Sequence, residues 1–162
     1  MPQQAHYETL FAYHWHTTRH LTDCAGRLED AAYHENPGYG HGSIHDLLFH
    51  LLRSDRSWRI ALESGHQQAG IQPSDFMSYQ DLAAGFADEQ AAWTTYLATL
   101  KDAEIDGDIT LINWRGDPWT FPLWRVLQHL ILHGMQHHTE IAQLLTARGQ
   151  SPGDIDLLFY RG

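Results

Sequence analysis

The chain has 162 residues, 43% hydrophobic and 19% charged, a size and balance that suit a single soluble domain spanning 1–162. Twenty acidic residues against ten basic ones give a net charge of −10, with no Lys/Arg cluster to grip a phosphate backbone, so nucleic acid is not an expected partner. The single cysteine, Cys24, excludes an intrachain disulfide. MPQQAHYETL lacks the basic start and apolar core of a signal peptide, and no apolar run nears the roughly 20 residues of a membrane span, so the expected location is cytoplasmic.

Residues 5–28 place apolar side chains at Leu10, Phe11, Tyr13, Leu21 and Leu28, with no glycine before Gly26, and predict a long first helix. ENPGYGHG (35–42) is a loop by its Asn-Pro and glycine content. Ser43 is placed to cap a second helix, with Asp46 in its first turn and Gly65 just past its end. After a long loop, Ser78 caps a third helix over 79–102, whose stripe is Leu82, Phe86, Trp93, Tyr96, Leu97 and Leu100. Residues 105–121 alternate around Arg115-Gly116-Asp117-Pro118 and predict a β-hairpin. Pro122 suits the first turn of a fourth helix that runs to Ala147, with Gly149 beyond it. The apolar stretch from Ile155 to Tyr160 is expected to pack on the bundle. Four long helices and one hairpin make a four-helix bundle, a fold that commonly hosts metal and cofactor sites in its core.

Thirteen histidines are the compositional signal, since neutral imidazole is the commonest metal ligand. LQHLILHGMQHHTEIAQLL (127–145) carries His129, His133, His137 and His138. At 100° per residue His133 and His137 lie about 40° apart, one turn above the other, as in the HExxH zinc motif. Glu140 and His129 share that face, whereas His138 points about 100° away from His137. Inert core histidines are the plain alternative, but an unpaired buried polar group costs about 1–3 kcal/mol, and a shared ion removes that cost. A third ligand must come from another helix. His50, flanked mid-helix by leucines and Phe49, is favoured over His14, His16 and His20, which spread around more than one face of helix 1. His45 is expected to be solvated, and His6, His34, His41 and His66 read as surface.

SIHDLLFHLLRSDRSW resembles the second-helix signature of the DinB/YfiT-like superfamily, with a histidine followed eight residues later by tryptophan. LILHGMQHHTEIAQLL is similar to its fourth-helix motif NHxxxHRGQI, and PGDIDLLFYRG to its C-terminal segment. The resemblance implies an all-α, up-down-down-up four-helix bundle with a short hairpin before the last helix. It also implies one divalent ion held by His50, His133 and His137. The family's Arg-Gly-Gln stands here as His138-Thr139-Glu140, its Asn before the first helix-4 ligand as Leu132, and its helix-1 Asn and Trp positions as histidine or threonine in YHWHTTRH.

Three imidazoles on a divalent ion leave a position open, the pattern of a catalytic site, and suit Zn, Ni, Fe or Cu. Such a position binds water and lowers its pKa toward ~7, or holds a thiolate. The expected function is therefore a metal-dependent enzyme acting on a small molecule. It would be either a hydrolase or, as characterised relatives of the similar families suggest, an S-transferase using a low-molecular-weight thiol cosubstrate. Glu140 is the candidate for proton handling, or for orienting a ligand in competition with Asp46; Trp58 reads as core rather than pocket wall. The alternative is a non-catalytic protein whose metal is structural or sensory. A di-iron bundle would need a set of Glu ligands that the chain lacks. Helix 4 is apolar nearly all round and the family it resembles often pairs through helix faces, so a homodimer is expected.

Overall fold

The computed structural model describes residues 3–68 and 70–162; Met1 and Pro2 of the N-terminal reading and Ala69 of the long loop lie outside them. The long helices are α1 (Gln3–Ala25), α3 (Ile44–Ser64), α4 (Tyr79–Thr99) and α6 (Leu123–Ala147). Single turns α2 (Asp30–Tyr33) and α5 (Asp102–Ile105) are added, and strands β1 (Asp108–Ile112) and β2 (Pro118–Pro122) precede α6.

Helix ends follow local chemistry. Ser43 Oγ accepts from the Asp46 N–H while the Asp46 carboxylate accepts from the Ser43 N–H, and Ser78 and Asp81 repeat this capping box on α4. At Gly65, φ of +76° closes α3 through a bond from its N–H to Ala61 O. On α6, Gly149 N–H bonds Thr146 O and Gln150 N–H bonds Leu145 O, the two bonds of a Schellman stop.

Contacts between helices fix the topology. Gln4 on α1 reaches the Leu97 and Ala98 carbonyls at the end of α4, while Tyr7 Oη donates to Trp124 O at the start of α6. Phe49 meets Phe76 just ahead of α4, and Arg59 meets Glu89 further along it, so α3 and α4 run parallel. His50 faces His133 and Trp58 faces His129, so α3 and α6 run antiparallel. The order is up-down-down-up, with α1 and α3 each packed between α4 and α6. The core holds Trp93, stacked on Phe11 with ring centroids 4.6 Å apart and its indole N–H on Asp55 O at 3.1 Å. Among the described residues, no helix is long and apolar enough to cross a membrane.

The hairpin pairs Asp108 with Pro122 and Ile112 with Pro118. Its loop is tied by Asn113 Oδ1, which accepts from the Arg115 and Asp117 N–H groups. Ile112 N–H bonds Gly65 O and Gln67 N–H bonds Ile112 O, which docks the hairpin on the end of α3.

Three expectations are corrected. Pro122 closes β2 instead of entering the helix, because it is still in register with Asp108, and α6 starts at Leu123. The third helix stops at Thr99, since Leu100 is extended and Glu104 caps Lys101 to start a separate turn. The C-terminal stretch is held by Tyr13 Oη on Ile155 O at 2.6 Å and His20 on Pro152 O at 2.7 Å, yet Leu157, Leu158 and Phe159 point to solvent. The Tyr160 ring, edge-on to Tyr13 at 5.8 Å, adds an aromatic contact to these polar bonds.

An ion pair between α3 and α4 is largely buried. Arg59 donates to both Glu89 oxygens, at 2.5 and 3.0 Å, and to Glu63 at 2.8 Å, while Glu89 is 3% exposed. Removing one partner of a buried pair strands the other charge. Arg59→Ala is expected to lower stability by about 3–5 kcal/mol, while the double variant Arg59→Met, Glu89→Leu recovers most of the loss. Urea unfolding of both variants checks it.

Candidate metal centre

Antiparallel packing of α3 on α6 brings His50 and the His133/His137 pair together. His133 Nε2 lies 3.1 Å from His50 Nε2 and 3.1 Å from His137 Nε2. His137 is buried, and its Nδ1–H donates to Glu140 Oε2 at 2.8 Å. That bond places the ring proton on Nδ1 and leaves the Nε2 lone pair facing the other two rings. The His133 Nδ1 atom is buried with no hydrogen-bond partner among the described residues.

Burial, and then the neighbouring His137 and His133 rings, push the pKa of His50 down to about 4. Burial and His137 likewise push His133 to about 4, against a smaller opposing pull from Asp55. Both rings are therefore neutral at physiological pH, the form that ligates a metal. The His133 spacings suit a divalent ion: tetrahedral coordination with metal–nitrogen bonds of about 2.0–2.1 Å sets ligand nitrogens about 3.3 Å apart, against 3.1 Å from His133 to each neighbour.

His41 is the residue that sequence reasoning missed. It is exposed in the loop before α3, as its surface reading had it, but it stacks on His50 with ring centroids 4.5 Å apart and lies edge-on to His137 at 4.8 Å. One nitrogen from each of His41, His50 and His137 lies within 4.8 Å of the others, so this three-histidine group could bind a metal ion. The one available signal was its place two residues ahead of the Ser43 cap, which fixes the direction in which the loop enters α3.

Other candidates stand apart. Asp46 is consumed by the Ser43 cap and does not orient His50. His45 packs on Tyr33, 3.2 Å from its hydroxyl, instead of being solvated, and burial lowers its pKa. His16 is exposed beside Tyr160, and His20 holds the C-terminal segment. His129 is exposed, with its ring 5.8 Å from that of His133 and 5.8 Å from Trp58. Trp58 is a pocket wall as well as a core neighbour, because the α3 face beyond His50 opens toward the hairpin.

Behind the cluster lies a buried polar layer. Asp55 Oδ2 accepts from His14 Nε2 at 3.0 Å, and the two side chains are each 2% exposed. Thr18 Oγ1 donates to His14 O, so His138 Nε2–H, 2.8 Å away, donates to Thr18. Burial drives the His138 pKa far down. His14 and His138 serve this layer and do not join the cluster.

The bundle and its hairpin can now be set beside known proteins. A comparison with curated proteins finds no match. The crystal structure of a DinB-like protein from Bacillus subtilis is similar in fold, with a TM-score of 0.67 and 17% identity over 89% of this chain and 92% of that one. The family model described as DinB family matches residues 1–162. The chain belongs to the DinB family.

Proposed function

We propose that the protein is a divalent-metal-dependent enzyme acting on a small molecule, with His50, His133 and His137 as ligands to one Zn, Ni or Fe ion. The observation that carries this reading is His133 Nε2 lying 3.1 Å from both His50 Nε2 and His137 Nε2, with His137 aimed by a carboxylate on its far nitrogen. An ion held by three imidazoles supplies Lewis-acid chemistry, making a water or thiol that reaches it more acidic at neutral pH. The reactions this supports are transfer to a low-molecular-weight thiol cosubstrate, or hydrolysis, in the cytoplasm.

The protein's own groups do the rest. Glu140 fixes the His137 tautomer, and with its side chain 36% exposed it can also pass a proton to solvent. Glu140 and His41 line a small cavity of about 70 Å³ with Tyr39, Gly40 and Leu47, which gives water-sized molecules an approach to the cluster. Asp55 and His14 form a buried polar pair in the core behind the cluster.

A second reading has one observation behind it. His41 stands beside His50 and His137, and a fourth imidazole on the ion would close the site and make the metal structural or sensory.

Purified protein is expected to hold one divalent ion per chain by elemental analysis. His50→Ala, His133→Ala and His137→Ala each abolish tight binding, and Glu140→Gln weakens it by about 10–100-fold. Full occupancy in both the His133→Ala and His137→Ala proteins removes the assignment.

Cobalt substitution separates the two readings. With Co(II) in the site, added thiol is expected to give a sulfur-to-cobalt charge-transfer band that the His137→Ala protein lacks. Spectra that stay unchanged at millimolar thiol and azide, but respond in His41→Ala, assign the fourth position to His41 and favour the structural role.

We further propose a homodimer paired through α6, where Trp124 and Leu132 are exposed two turns apart on the helix. Light scattering is expected to give twice the chain mass, and Leu132→Glu to return a monomer. A monomer mass for the unaltered protein counts against pairing.

A further inference from the structure

A larger cavity, about 320 Å³, lies on the other side of the cluster, between the end of α3, strand β2 and the first turns of α6. Its walls are Trp58, Trp119, Phe121 and Val126, with Arg125 and His129 as the polar members. The volume is at the lower end of the roughly 300–1,000 Å³ typical of small-ligand sites. The aromatic walls meet edge to face: Trp58 and His129 at 5.8 Å and 68°, Trp119 and Phe121 at 6.2 Å and 70°. Such walls present flat faces and positive ring edges to an occupant, which suits a planar apolar body better than a branched one.

The charge at this cavity is opposite in sign to the chain's. The protein carries −10 overall, yet Arg125 is the one charged residue among those that line the cavity; it contributes its apolar stem to an almost wholly apolar wall, and its guanidinium lies outside that wall. Like most of the arginines, Arg125 has no carboxylate partner among the described residues; its guanidinium lies 5.7 Å from the Trp124 ring centroid. A planar fork of donors beside an apolar wall matches a carboxylate or similar oxyanion.

Arg125, His129, His133 and His137 follow one another at four-residue intervals along α6 and so form one row on the helix. The row runs from the cavity's cation, through its His129 wall, to the histidine cluster.

We propose that this cavity binds a small organic anion with a flat aromatic body, its acid group on Arg125 and its body between Trp58, Trp119 and Phe121. That the occupant is the enzyme's substrate rests on the metal-enzyme reading; the binding itself does not.

The probes are 2-naphthoate and its neutral isostere naphthalene-2-carboxamide, titrated into Zn-loaded and chelator-treated protein. Calorimetry is read together with the indole N–H signals of Trp58 and Trp119. Naphthoate is expected to bind saturably in both forms, shifting both indoles, with the carboxamide about tenfold weaker. Arg125→Gln removes the difference between the two probes, and Trp119→Ala weakens both. Equal affinity of the two probes for the unaltered protein, or no saturable binding, overturns the proposal. Naphthoate binding only with zinc present, without movement of the indole signals, also overturns it, because the anion is then on the metal. Binding that persists in protein unable to hold zinc leaves the cavity assignment standing while the metal-enzyme reading falls.

Discussion

His133 Nε2 faces two other imidazole nitrogens at 3.1 Å, and a single ring proton can bridge one of those gaps. The His137 ring proton is already committed to Glu140 on the far side. His133 Nε2 either carries a proton or offers a lone pair, so it cannot donate across one gap and accept across the other. Lone pairs crowded in this way, with water partly excluded, are stabilised by a cation that accepts all of them. The packing serves this constraint: α3 must lie antiparallel on α6, in a phase that sets His50 opposite His133. The capped start of α3 and the buried leucines on both sides of His50 hold that phase.

Three of the positions at which the chain departs from its family's usual pattern meet one another. His14 and Thr18 come from the altered stretch of α1, and His138 from the altered position after the last ligand-type histidine of α6. In the fold, the His14 and His138 rings lie 5.0 Å apart and Thr18 bonds His138. Asp55 closes the layer from α3. Gly134 makes the layer possible, because a Cβ there would collide with His14 Nδ1. Thr18 and His138 are thereby coupled, each meeting a polar atom that would otherwise cost about 1–3 kcal/mol to leave unmet, while the His14 ring is met by Asp55. They rebuild the wall behind the cluster, whereas Glu140, a further departure, bonds His137 within it.

Periodicity and capping residues carried most of the fold. Ser43, Ser78, Gly65 and Gly149 each act through bonds within a few residues, and such local chemistry can be read without the tertiary structure. Leu157, Leu158 and Phe159 misled because hydrophobicity indicates what could be buried, whereas the segment is anchored by Tyr13 and His20 to backbone carbonyls. Within the site, four-residue spacing set His133 above His137, and the apolar flanks of His50 pointed it inward. His41 offered no such pattern. A loop residue's position depends on the whole path from α2 to the Ser43 cap, and glycines at 38, 40 and 42, all with positive φ, shape that path. Trp58 was half legible, since eight residues place it on the His50 face but not beside an opening made by a hairpin far along the chain.

That hairpin is the element whose role the bundle alone does not explain. It is docked on the end of α3 by bonds of Ile112 with Gly65 and Gln67, and it leads directly into α6 through Leu123, whose N–H bonds Gly107 O. Trp119 and Phe121 on β2 are thus fixed against Trp58 on one helix and Arg125 on the other. Because α6 rises about 1.5 Å per residue, Arg125 stands about 12 Å along the axis from His133. The row of Arg125, His129, His133 and His137 is consequently a rigid ruler between the cavity and the cluster. A one-residue insertion within it would turn one end by about 100° relative to the other while leaving each locally intact. The joint placement of cavity and cluster depends on the register of α6, which the hairpin sets at its first residue.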